Sequence, residues 1–268
     1  MAWILLLALF FPSFAWEITV AFTTDLHAAL PRLEALAPVL READLILDAG
    51  DAWEDLTRLT GPSQAWTTQR MMATLGYKAM VLGNHEMYLG PLLLQLLSDA
   101  PFPVVVTNVE GEIPVLRWLL LEAKGVRVLI LGALWEEYPW PLWPKVKFTD
   151  PKESLPAALK EAPEHDLLIV LGHMDFARAK ALAGVLQECS LFILGHNHRF
   201  LEEPIWVGKV PIVQAGHHGE ALGWARLGPE GLRSYELIKI PQPQALPNFW
   251  LLPLFVSLFL VFFPRVFP

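Results

Sequence analysis

Five short polar clusters in this chain hold side chains able to bind metal ions and move protons. They are Asp25-Leu26-His27, Gly50-Asp51, Gly83-Asn84-His85-Glu86, Gly172-His173 and Gly195-His196-Asn197-His198. Five of the eight histidines fall inside them. A solvated loop rarely needs histidine and a core rarely tolerates it unpaired, so this concentration asks for a chemical reason. Carboxylate, imidazole and amide oxygen together form a mixed hard and borderline donor set. Such a set suits Mn, Fe or Zn better than Ca or a thiolate-bound metal. Two ions roughly 3.5–4 Å apart need a bridging carboxylate, and in-line attack on phosphorus needs both attacking and leaving oxygens clamped. Singly the clusters say little, since Gly-Asp usually marks a turn and Asp-x-His is a common loop pair. Their ordered combination is the signal.

The clusters follow short apolar runs that must position them. Ile18–Phe22, Leu45–Leu47, Ala79–Leu82, Leu167–Leu171 and Leu191–Leu194 precede them in turn. Val104–Val106, Val126–Leu131 and Pro211–Val213 are further runs of the same kind. Several are continuously apolar rather than alternating, as in strands covered on both faces. Pro31–Arg41, Ser63–Leu75 and Leu92–Leu97 fit helix starts or amphipathic periods. The alternation predicts an α/β domain, a class that places its sites at the carboxyl ends of strands. From Val207 to Ile240 the pattern changes to strands joined by tight turns such as Leu227-Gly228-Pro229-Glu230-Gly231.

The 268 residues can hold one large domain or two small ones. A formal charge of -8 argues against a nucleic-acid duplex as partner. It also means that an anionic substrate must be attracted locally, for example by a bound cation. The lone Cys189 excludes an internal disulfide framework and a cysteine-rich metal site.

Both ends are apolar. Trp3 to Phe11 is an uninterrupted apolar run followed by Pro12 and Ser13-Phe14-Ala15. That pattern reads as a secretory signal cleaved after Ala15, although no Lys or Arg precedes it; a buried first element is the alternative. Phe249 to Phe263 carries no charge, and fifteen helical residues span about 22 Å of a bilayer core of roughly 30 Å. Extension from Leu246 to Pro264 brings the length close to sufficient, and Arg265 favours a cytoplasmic C-terminus. The expected organisation is a signal over 1–15, a catalytic domain over 16–240, and a Pro-rich linker with a hydrophobic tail over 241–268. The tail is expected to anchor the domain on the outer face of the membrane or in the periplasm. A tail lying on the membrane surface or packed on the domain is the alternative.

In order and strand context the clusters resemble the calcineurin-like metallophosphoesterases, whose pattern is D-x-H, G-D, G-N-H-[DE], G-H and G-H-x-H, over about residues 17–225. Within that superfamily the likeness is greatest to the catalytic domain of bacterial 5′-nucleotidases. Thr23-Thr24-Asp25-Leu26-His27 resembles their opening motif, and Thr107-Asn108-Val109 their Asn-containing strand end. Val213-Gln214-Ala215-Gly216 with Gly219-Glu220-Ala221-Leu222-Gly223 resembles their closing hairpin. The resemblance implies a four-layer α/β/β/α sandwich of two mixed sheets. It implies two divalent ions, Mn, Zn or Fe. Asp25, His27 and His198 would hold the first, Asn84, His173 and His196 the second, and Asp51 would bridge them. A hydroxide between the metals would attack phosphorus, and His85 would stabilise the phosphoryl oxygen or leaving alkoxide and act as general acid. Asn108 is a candidate substrate contact. His217 and His218, at a hairpin turn, are candidate contacts or ordinary exposed histidines.

Two departures from the nucleotidase pattern matter. Those enzymes orient the catalytic histidine with an acidic residue three positions after it, where this chain has Tyr88. Glu54, three residues after Asp51, is the candidate replacement, since phosphoprotein phosphatases carry an acidic partner there; a solvated loop charge is the alternative. The nucleotidases also continue into a second domain that stacks the nucleobase and supplies arginines to the phosphates. Here the catalytic domain is expected to end near Ile240. The small phosphorylated substrate is then smaller than a nucleotide, or a separate partner protein helps to recognise it, or selectivity is broad. Trp135 to Phe148, interrupted by Pro139, Pro141 and Pro144, cannot be a regular helix or a central strand. It reads as a rim loop offering Trp140 or Trp143 for stacking, or as packing under a loop. A non-catalytic module using the same fold, and a hydrolase of something other than a phosphoester, are the competing functions.

Overall fold

Six of the eight apolar runs become strands along their length, with both faces largely buried. In the computed structural model, which describes residues 16–54, 63–135 and 146–241, the chain opens with β1 (Ile18–Thr23), α1 (Leu30–Leu40), β2 (Leu45–Asp48) and α2 (Ser63–Leu75). Next come β3 (Ala79–Met80), α3 (Asn84–Met87), α4 (Pro91–Ser98), β4 (Val109–Gly111), β5 (Leu119–Ala123) and β6 (Val126–Leu134). The chain continues through β7 (Val146–Phe148), α5 (Pro151–Glu161), β8 (Leu167–His173), α6 (Phe176–Val185) and β9 (Leu191–Gly195). It closes with β10 (Ile205–Val207), β11 (Val210–Val213), β12 (Ala221–Gly228) and β13 (Gly231–Lys239).

A five-stranded sheet has the order β13-β12-β1-β2-β3, and a six-stranded sheet the order β10-β11-β9-β8-β6-β5. Both are mixed. β1, β2 and β3 are parallel while β12 and β13 are antiparallel. In the second sheet β6, β8, β9 and β11 are parallel and the outer β5 and β10 are antiparallel. Along β6, Val128 and Ile130 join Ile169 and Ile193 in a core shared with β1 and β2. Their neighbours Leu129 and Leu131 join Leu168, Val170 and Phe192 in a second core closed by Leu155 of α5 and Leu182 of α6. Each fully buried Leu or Ile contributes roughly 1.5–3 kcal/mol relative to exposure, so both faces favour the same register. α1 packs on the first sheet through Leu33, Leu36 and Leu40. The layers are therefore α/β/β/α, as the resemblance implied.

Two strand expectations need correction. The run Ala79–Leu82 is a strand only at Ala79–Met80. Val104–Val106 forms isolated bridges, Met80 with Val104 and Val105 with Leu116. The reason lies in its hydrogen bonds: Val105 N–H donates to Met80 O, Val106 N–H to Leu116 O and Thr107 N–H to Gly132 O. The segment hands its donors from one sheet to the other and cannot form a ladder. The β5–β6 hairpin turns at Lys124 (φ 50°) and Gly125 (φ 77°), both left-handed, as a tight two-residue turn requires. Asp150 and Asp175 cap α5 and α6 by accepting from Lys152 N–H and Arg178 N–H. The expected signal, the hydrophobic tail, Trp140 and Trp143 lie outside the described residues. Among the described residues no helix is long and apolar enough to cross a membrane.

Candidate metal centre

β1 and β2 from one sheet and β8 and β9 from the other all end at the same rim. β1 delivers Asp25 and His27, and β2 delivers Asp51. β8 ends in His173, β9 leads into His196 and His198, and the short α3 after β3 contributes Asn84 and His85. The backbone there is held in a costly form. Asp25 (φ 51°), His27 (46°), Asp51 (53°), His196 (88°) and His198 (55°) are all left-handed without being glycine. Each costs on the order of 1 kcal/mol or more and persists only where its surroundings fix it.

Glu86 supplies much of that fixation. Its carboxylate is fully buried and accepts four backbone N–H groups, from Asp51 (2.9 Å), Ala52 (2.8 Å), Trp53 (2.9 Å) and Gly83 (2.8 Å). The β1 loop is laced to the same strand end by Asp25 N–H to Gly50 O (3.0 Å) and His27 N–H to Asp51 O (2.8 Å). Gly50 sits at φ 88°, and a Cβ there would lie 2.7 Å from His173 Nδ1 and 2.8 Å from Gly83 N. Only glycine fits that approach. Asp48, also fully buried, accepts from Thr23 Oγ1 (2.6 Å) and Gly50 N–H (2.8 Å).

The donor atoms converge. His173 Nδ1 donates to the Ala49 carbonyl at 2.8 Å, which aims Nε2 at Asp51 Oδ2 and Asn84 Oδ1, each 3.2 Å away. His196 Nδ1 lies 2.9 Å from the same Asn84 oxygen. His27 Nε2 lies 3.1 Å from His198 Nε2, which is 3.6 Å from Asp25 Oδ1. Three groups of potential ligand atoms, each within 4.8 Å, result: Asp25, His27 and His198; Asp51, His173 and His196; and His27, Asp51 and His85, which joins them. The backbone N–H of His196 donates to Asp25 Oδ1 (2.8 Å), and that of His85 to Asp51 Oδ1 (2.7 Å). Asp25 Oδ2 is buried and has no hydrogen-bond partner. A buried, unpartnered carboxylate oxygen on a residue grouped with the His27 and His198 imidazoles suits a cation, so this donor set fits divalent metal ions.

Charge states follow from burial and neighbours. Burial pushes the Asp25 carboxyl up to about 7, with Asp51 adding to the rise and His173 opposing it. Burial pulls His27 and His196 down to about 4 and lowers His198, leaving neutral rings as metal ligands require. Burial opposes the Asp51–His173 ion pair, but their mutual attraction prevails. Asp51 is held below the usual carboxylate range and His173 is raised to about 10.

His85 sits edge-on to His27, ring centroids 4.5 Å apart, with its ring partly open to solvent. Glu54 is 2% exposed and reaches to 3.8 Å from His85 Nδ1, so it is a buried partner and no solvated loop charge. Tyr88 meets the same imidazole from outside, at 5.5 Å between ring centroids. Asn108 is a correction. It is fully buried, and its amide donates to Leu134 O and Thr149 O and accepts from Leu134 N–H. It clamps β6 to the chain beside it and has no face left for substrate. His217 does reach the cluster, stacking on His198 at 4.9 Å. Sequence reading gave no role to Glu86, although a Glu three residues after Gly83 is half of a helix-capping pattern. Asp48 offered no signal beyond ending an apolar run.

Fold and site together define an α/β/β/α sandwich whose strand ends gather Asp, His and Asn side chains able to hold metal ions. The chain belongs to the calcineurin-like phosphoesterase family, whose model matches residues 18–200. It is 28% identical to human 5′-nucleotidase over 268 aligned residues, covering 80% of this chain and 46% of that protein. Among solved structures, a 5′-nucleotidase precursor from Thermus thermophilus superposes with a TM-score of 0.74 at 25% identity, covering 90% of this chain and 58% of that one. The sulfate thiohydrolase SoxB of the same organism shares the fold at 20% identity, with a TM-score of 0.65 over 89% of this chain and 47% of that one. This chain spans about half the length of the curated relatives it matches.

Proposed function

We propose that this chain is the hydrolytic domain of a two-metal phosphoester hydrolase that acts on small phosphomonoesters of the nucleotide kind. One observation carries the reading: Asp51 belongs to two donor groups at once, with His173 and His196 on one side and with His27 and His85 on the other. A carboxylate shared in this way would bridge two ions. Asp25, His27 and His198 would complete one ion's ligands, and Asn84, His173 and His196 the other's. Bound there, two divalent ions such as Mn, Zn or Fe would supply positive charge for the phosphoryl oxygens and a water acidic enough to attack at neutral pH.

The chain's own residues supply the rest. His85 lies beside the bridge with a partly open ring, and it donates to the phosphoryl oxygen or protonates the departing alkoxide. Glu54 holds that imidazole from the buried side. His173, pinned by Ala49 O, keeps Nε2 on Asp51 and Asn84. Glu86 fixes the backbone of both loops before substrate arrives. A nucleotide-like substrate is supported by likeness to 5′-nucleotidases. A separate chain supplying what those relatives' additional length supplies would narrow the selectivity. Placement outside the cytoplasm, with the tail as anchor, rests on the apolar runs at both ends and is tested by fractionating cells with and without residues 246–268.

The deciding experiment is hydrolysis of an aryl phosphomonoester and its bis-aryl diester by protein stripped of metal and resupplied with Mn, Zn, Co or none. Metal-restored turnover of the monoester that Asp51→Asn abolishes is expected. Folded protein that binds two ions and turns over neither ester would replace this reading with a binding role.

A further inference from the structure

Next to the strand-end cluster lies a second group of side chains that could hold a metal ion and that the proposed mechanism does not use. The loop between β11 and β12 carries His217, His218 and Glu220, whose ligand atoms lie within 4.8 Å of one another. The two Nδ1 atoms are 2.9 Å apart. With both rings in the Nε2–H tautomer, two lone pairs face one point, and the Glu220 carboxylate closes the third side.

The loop is held in that shape. Gly216, His218 and Gly219 are left-handed, at φ 79°, 52° and 64°. His218 N–H donates to Asp25 O (2.7 Å), Gly216 N–H to Arg199 O (2.8 Å) and Glu220 N–H to His217 O (3.0 Å). His217 also packs against His198 and Phe200, at ring-centroid distances of 4.9 and 5.6 Å. Arg32 reaches Glu220 Oε1 only at 3.7 Å, longer than a direct hydrogen bond, so the carboxylate keeps lone pairs for a cation.

We propose that His217, His218 and Glu220 form a third cation site, distinct from the strand-end pair, that takes a zinc-class divalent ion. Two imidazole nitrogens and one carboxylate oxygen form a three-ligand set with open positions, which suits Zn, Co or Ni better than Mg or Ca. All three side chains are half-buried, so the ion would be reachable by solvent and by an anionic group. Its charge would add to the local attraction for anions in a chain of formal charge -8.

The test counts metal and does not depend on turnover. Full-length protein is stripped with a chelator and dialysed against excess zinc, and bound zinc per chain is measured by atomic emission. Wild type should hold one zinc more than Glu220→Gln and one more than the His217→Ala/His218→Ala double variant. Glu220→Gln serves as the variant that leaves the His198 stack intact, and circular dichroism checks the fold of both. With Co in place of Zn, the visible absorption band should fall by the same share. Counts that neither variant lowers overturn the third site and leave the strand-end pair standing. A count that Asp51→Asn does not lower overturns the pair and leaves the third site standing.

Discussion

Glu54 Oε2 lies 3.8 Å from His85 Nδ1, with the carboxylate enclosed by the protein and the imidazole reaching solvent on its other side. In the proposed mechanism this pairing takes the part of the acidic residue that the nucleotidase pattern carries at the position of Tyr88. A carboxylate at that distance limits the orientations open to the ring, which sets where it points towards a leaving oxygen. Glu54→Gln is therefore expected to lower kcat about 10–100-fold with little change in KM. The loss should be greater for alkyl phosphates, whose leaving oxygens need a proton, than for a nitrophenyl ester. Equal losses on both substrates, or an unchanged kcat, would remove Glu54 from this role.

In the proposed two-metal reading, Asp51 is the residue whose removal should be felt at both ions. Asp51→Asn keeps the size of the side chain but removes the charge that the two donor groups share. Both strand-end ions should weaken together, and kcat/KM should fall by more than about 100-fold, beyond the effect of losing a residue that only supports a ligand. Metal titration followed by calorimetry reads this directly. Sequential loss, with one ion retained at wild-type affinity, would show that Asp51 serves a single metal.

The strand ends were legible because chemistry and periodicity change at the same residues: an apolar run stops and Asp, His or Asn begins. All seven proposed ligands lie where that rule placed them, together with His85. Asn108 was misread because an Asn at a strand end looks the same whether it faces substrate or ties two backbones. Only the hydrogen bonds to Leu134 and Thr149 separate those cases. Val104–Val106 has the composition of a strand, but Val105 bonds to Met80 of one sheet, Val106 to Leu116 outside any strand and the next residue, Thr107, to Gly132 of the other sheet, which no local pattern reveals. Glu86 stood inside a recognised cluster, yet its four backbone partners come from residues 83 and 51 to 53, and the second group is distant in sequence.

That arrangement makes Glu86 a stability residue as much as an active-site one. Glu86→Ala would leave four buried N–H groups without their acceptor. An unsatisfied buried donor costs about 1–3 kcal/mol, so a total loss on the order of 3 kcal/mol or more is expected even after water enters. Glu86→Gln keeps one acceptor oxygen and should lose less. Urea unfolding of the metal-free proteins gives both values, and a Glu86→Ala midpoint equal to wild type would mean that the loops are held by something else.

The Asp51–His173 pair predicts how the metal-free protein responds to alkali. His173 is raised from 6.5 to about 10, because Asp51 outweighs the cost of burial. A raised histidine contributes stability that is fully present below its ordinary value and is lost as pH rises through the folded value. Asp51 is depressed, so its contribution is present above the ordinary carboxylate value and lost only in acid. Stripped protein should therefore lose Tm steadily between about pH 7 and 9, before tyrosine and lysine titration begins. A His173→Gln variant should lack that slope. Metal binding at neutral pH must displace the proton from Nε2, so zinc should release protons on binding and its affinity should rise with pH. With zinc bound the alkaline decline should disappear, since the ion takes over the charge that the proton supplied. Thermal melts of stripped and zinc-loaded protein across this range provide the measurement. A flat profile for the stripped wild type would show that His173 is neutral without metal and that the pair is a plain hydrogen bond.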